Sequence, residues 1–162
     1  MPATSAPLPP SRRFAEATLL VALLDGLAAV TFYALILHVT TPARIFRGIA
    51  SALVGPAAFE GGVGMVVLGV LMHTGVALGW VTVYAVLWSR WPALRELTRT
   101  ARGAVLAGVL YGPCVWFSMR FLVLPLTHAA LPPVASWRTL VMIGIHMGAV
   151  GVPIAVRVRE PA

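Results

Sequence analysis

A chain of 162 residues that is 59% hydrophobic and only 10% charged falls outside the range of water-soluble domains. Its twelve basic residues, every one an arginine, outweigh five acids for a formal charge of +7; they mostly flank apolar runs, which points to anionic lipid headgroups and membrane orientation and away from nucleic acid. One cysteine, Cys114, rules out an intrachain disulfide and a cysteine-rich metal site, and its apolar surroundings suggest a small buried side chain.

Residues 1–13 are rich in proline and small side chains and read as a disordered tail. Arg12 and Arg13 precede an apolar run over 15–39 that is too long for the core of a signal peptide, so it is expected to remain as the first membrane span. Asp25 lies within it at an insertion cost of about 2.5–3.5 kcal/mol, against roughly 5 kcal/mol gained from the large apolar residues between Leu19 and Leu37. Insertion wins. In the segment 42–60, Thr41 can cap a helix that opens with Pro42 and stops at Gly55-Pro56. Arg44, Arg47 and Ser51 share one face of it and Ile45, Ile49 and Leu53 the other, which suits a short helix lying in the interface or re-entering the bundle.

The stretch 62–87 has no charged side chain and reaches roughly 40 Å as a helix, enough to cross a hydrocarbon core with some tilt. His73 is near its middle. A short basic connection, Trp88 to Arg102, follows, with Trp88 and Trp91 expected at headgroup level and Arg95, Arg99 and Arg102 at helical spacing to touch lipid phosphates. The third span, 103–124, carries Arg120 and also Pro113, which should kink it by freeing the Val109 carbonyl. After a proline-rich connection comes the fourth span, 138–156, with His146 inside and Pro153 freeing the Ala149 carbonyl. The expected architecture is an all-α, integral membrane four-helix bundle in one domain, 14–157, with the additional short helix between spans one and two.

Arg12, Arg13, Arg90, Arg95, Arg99, Arg102, Arg157 and Arg159 fall on one side of this arrangement and outnumber Arg44, Arg47 and Arg138 on the other. The bias puts both termini in the cytoplasm, and the compact size suits a bacterial inner membrane.

Helical rise then gives each buried polar group a depth: Asp25 and His73 near the midplane, His146 in the outer half, Arg120 nearer the outer surface, Glu60 at the outer mouth of the second span. Ionisable groups at such depth usually face inward and pair, so these five define a candidate polar pocket in the outer half of the bundle. The plainer reading is of isolated pairs, such as Glu60 with Arg120, that only lock helices together. His73 and His146 could together ligate haem, but their estimated depths differ by about 5 Å, which favours separate hydrogen-bonded core histidines. No metal site is expected. Gly75/Gly79, Gly108/Gly112 and Gly144/Gly148 each form a G-x-x-x-G strip suited to close helix packing, within the chain or in a homo-oligomer. No nucleophile–base set, phosphate loop or dinucleotide fingerprint appears, so no catalytic residues are expected.

Ile49-Ala50-Ser51-Ala52-Leu53-Val54-Gly55, Phe59-Glu60-Gly61-Gly62 with His73 following, Val123-Leu124-Pro125-Leu126 and the run from His146 to Ala155 occur in an order that resembles an uncharacterised family of small four-span bacterial inner-membrane proteins. The resemblance covers most of the chain beyond the tail and implies a fold and a location, but no activity. Its pattern has asparagine where this chain has Arg120, which argues against a fixed role for that arginine. The expectation is a non-enzymatic membrane protein with a polar pocket; a small proton- or ion-coupled transporter or permease component is the alternative, and a haem-bearing electron carrier a second one.

Overall fold

The computed structural model describes residues 10–130 and 136–159; most of the proline-rich tail and the middle of the connection before the fourth span lie outside them. The described residues form an all-α bundle without strands, in which four helices are long and apolar enough to cross a membrane. These are α1 (Ser11–Ile36), α3 (Val63–Arg90), α5 (Ala101–Leu126) and α6 (Trp137–Val158). Two short helices, α2 (Pro42–Val54) and α4 (Pro92–Thr98), join α1 to α3 and α3 to α5. One boundary moves: α1 begins at Ser11, so Arg12 and Arg13 form its first turn and do not belong to the tail.

Local chemistry sets the ends. Thr41 caps α2 by accepting the Arg44 amide at 3.3 Å, with Pro42 in the first turn, and Gly55 ends the helix at φ 73°, a left-handed conformation that favours glycine. Thr100 caps α5 in the same way, accepting the Gly103 amide at 3.0 Å. Proline acts beyond simple kinking. α5 stays regular through Pro113 as far as Ser118, and the widening to i→i+5 turns comes at Met119–Val123, just before Pro125. In α6 the same widening spans His146–Gly151, just before Pro153. A wider turn relieves the clash between a proline ring and the carbonyl four residues earlier.

The tight core lies at the end of the bundle where the start of α1 meets the end of α6. Ala17 and Val21 of α1, Val81, Tyr84 and Ala85 of α3, and Ile154, Ala155 and Val158 of α6 are buried there. Tyr84 and Tyr111 pack edge to face at 4.9 Å, and the Tyr111 hydroxyl donates to the Trp80 carbonyl at 2.8 Å, tying α5 to α3. Arg13 donates to the Arg159 carbonyl at 3.4 Å, so the start of α1 and the end of α6 are neighbours. Elsewhere large apolar side chains such as Leu19, Leu71 and Leu140 point outward, and no more than 28% of any span's most apolar window is buried in the protein. So much exposed apolar surface requires an apolar solvent.

α5 and α6 approach through glycine. A methyl group on Gly108, Gly112 or Gly151 would overlap backbone atoms of the facing helix. α6 contributes Gly151 to this contact, while Gly75, Gly79, Gly144 and Gly148 are exposed with open space around them within one chain. A G-x-x-x-G strip records only which residues share a face, and the bundle turns these faces outward.

One more expectation reverses, that of a buried Cys114. Cys114 is exposed, its thiol donating to the Leu110 carbonyl at 3.4 Å. Trp88 is buried, its indole N–H donating to Thr98 Oγ1 at 3.1 Å, while Trp91 is exposed. On α2, Ser51 is buried and bonded to the Gly48 carbonyl at 2.7 Å, whereas Leu53 points out.

Candidate polar site within the bundle

Asp25 and His73 come together between α1 and α3. His73 stands ten residues after the start of α3 at Val63, roughly 15 Å along the helix, well inside the span. Its Nε2 lies 3.0 Å from the Ala22 carbonyl on α1 and 3.9 Å from Asp25 Oδ2, one turn further along the same helix. The bond to Ala22 requires a proton on Nε2, which fixes the tautomer of a neutral ring. Asp25 Oδ1 is buried without a hydrogen-bond partner among the described residues. The two side chains keep only 16% and 19% of their surface, for His73 and Asp25 respectively.

The short helix α2 completes the site. The Phe46 ring stands edge-on to the imidazole, 6.3 Å between centroids. It reaches that level because Gly69, one turn before His73 on the same face of α3, lets the Phe46 backbone press against the span; a methyl there would overlap the Phe46 carbonyl. Gly69-x-x-x-His73 was the signal in the sequence for this contact, since residues four apart share a helix face. Phe59 anchors α2 from the other side, where its ring packs 5.0 Å beneath the Arg44 guanidinium and its carbonyl accepts from Arg47 at 3.4 Å.

The other expected members of the pocket make their contacts elsewhere. Glu60 is exposed in the connection before α3. Arg120 is half-buried with its guanidinium 5.5 Å over the Phe121 ring. His146 places Nδ1 2.8 Å from the Met142 carbonyl of its own helix, while its backbone carbonyl faces Gly112. No three His, Cys, Asp or Glu side chains cluster closely enough to hold a metal ion among the described residues.

Of the arginines expected at lipid phosphates, Arg95 turns back on the protein. It donates to the Ser89 carbonyl at 2.7 Å and the Trp88 carbonyl at 3.4 Å, at the C-terminal end of α3 where carbonyls lack helical partners. Arg99 pairs with Glu96 at 3.2 Å, and Arg102 is exposed.

A paired carboxyl and imidazole with one unsatisfied oxygen can hold a proton in two places. Ionisable side chains this far inside a span usually face inward and pair with one another, as these two do. Comparison with protein-family models, with curated proteins and with solved structures returned no match.

Proposed function

We propose that this chain is a multi-pass protein of a bacterial inner membrane, with both termini in the cytoplasm, that works by binding and not by catalysis. Its working element is the Asp25–His73 pair, an intramembrane site that takes up and releases a proton as the core of a small proton- or ion-coupled carrier. The observation that carries the reading is the buried Oδ1 of Asp25, left unsatisfied beside an imidazole 3.9 Å from Oδ2. Intramembrane ionisable residues are costly to keep and commonly mark proton or ion paths. The arginine asymmetry supports the orientation. The inward Ser51 and outward Leu53 support a re-entrant position for α2 in hydrocarbon, where it covers the pair through Phe46.

The test is infrared titration of the protein in lipid nanodiscs together with pH-driven flux in proteoliposomes. Wild-type protein should show a protonated-carboxyl band that changes with pH and vanishes in Asp25→Asn, and His73→Ala should shift the pH at which it changes. Flux should fall by on the order of tenfold or more in either variant, the size expected for losing a positioned proton-transfer group. A carboxyl band indifferent to both substitutions would sink the proposal, as would flux that neither one alters.

A further inference from the structure

Where the start of α1 meets the end of α6, Arg13, Glu16, Val156, Arg157 and Arg159 line an open cleft of about 200 Å³. Glu16 is held by two arginines, by Arg12 Nε at 2.9 Å and by Arg157 at 3.4 Å, and Arg13 reaches the Arg159 carbonyl. Each of these contacts uses one nitrogen of a guanidinium that carries five N–H donors. Arg12, Arg13, Arg157 and Arg159 set four positive charges against one carboxylate among the described residues there, Glu16. Arg12 and Arg13 also occupy the first turn of α1, where the helix dipole already presents positive charge. Such a concentration of cations is relieved by an anion, and guanidinium forks match the oxygens of a phosphate.

The surroundings select the source of that phosphate. Val156 forms an apolar wall, and from the rim of the cleft the exposed side chains of Leu19, Leu23 and Leu27 run down α1 at helical spacing. A headgroup in the cleft can therefore lay an acyl chain along that track. We propose that the cleft binds the phosphodiester headgroup of an anionic phospholipid, joining the start of α1 to the end of α6 through a shared lipid. The proposal rests on the helices spanning a membrane and is independent of any role for the Asp25–His73 pair.

Native mass spectrometry of the full chain, released from micelles doped equally with phosphatidylglycerol and phosphatidylcholine, tests it. The wild type should retain phosphatidylglycerol in preference. The preference should fall on the order of tenfold in the double variant Arg13→Gln/Arg159→Gln, given the attraction of each arginine for an anionic lipid. Glu16→Gln removes the competing carboxylate and should strengthen retention, a gain that a misfolded variant would not give. Arg99→Gln/Arg102→Gln, outside the cleft, should lower retention much less than the cleft variant does. Equal retention of the two lipids by the wild type overturns the proposal, as does an equal loss in the Arg99/Arg102 variant or weaker retention in Glu16→Gln. Displacement of the lipid by millimolar inorganic phosphate would assign the cleft to free phosphate and likewise defeat it.

Discussion

At the scale of single residues, glycine divides into two kinds that look identical in the sequence. Gly108, Gly112 and Gly151 are each overlapped by the facing backbone once a methyl group is added, whereas Gly75 and Gly79 have nothing nearby. Gly151→Val should therefore destabilise the bundle by about 1–3 kcal/mol, the usual cost of overpacking, while Gly75→Ala should be neutral or slightly stabilising. Thermal unfolding in detergent, followed by tryptophan fluorescence, distinguishes them, and equal effects would contradict the α5–α6 contact. Asp25 and His73 show how far residue-level reading reached. Helical rise placed both near the midplane, and the structure brings them within 3.9 Å. Arg120 and His146 shared their half of the bundle but make their contacts elsewhere, because a residue's neighbours depend on which face each helix buries. That choice was hidden because the spans are apolar all round, leaving little periodicity to read.

Elements show the same division between local and tertiary information. The limits of α2 were legible because they depend on side chains next to the backbone they cap: Thr41 at its start, Gly55 at its end. Its facing was not. Amphipathic patterning assumes water outside, whereas here the burial of Ser51 and exposure of Leu53 follow the opposite preference. α4 was similarly concealed, its residues reading as a basic connection at the membrane surface. Instead, Trp88 and Thr98 bond to each other inside the bundle and Arg95 closes the open end of α3. Arg95→Gln should consequently cost about 1 kcal/mol through the lost charge-assisted bonds to the last carbonyls of α3, against roughly 0.5 kcal/mol or less for Arg102→Gln. Chemical-denaturant melts of the two variants in the same detergent would check this, and indistinguishable midpoints would remove Arg95 from that role.

Over the whole molecule, span number and span length were legible from apolar content alone, because nothing else satisfies a backbone in hydrocarbon. Packing order was not, since it is decided by small residues and by proline-driven widening rather than by hydropathy. The neighbouring positions of Arg13 and Arg159 require both ends of the described chain to emerge on one side of the bilayer. On the proposed orientation that side is the cytoplasm, so alkaline phosphatase fused at either end should stay inactive and a fluorescent protein should glow; opposite results at the two ends would break the four-span topology.

That proximity also means the molecule has no obligatory first span. The start of α1 touches the end of α6, and Thr100 starts α5 with its own cap. A linker joining the end of α6 to the start of α1, with a new opening between Arg99 and Thr100, would make α5 the leading helix. Each crossing would keep its direction and neighbours, so the order in which the helices leave the ribosome is separable from the architecture they reach.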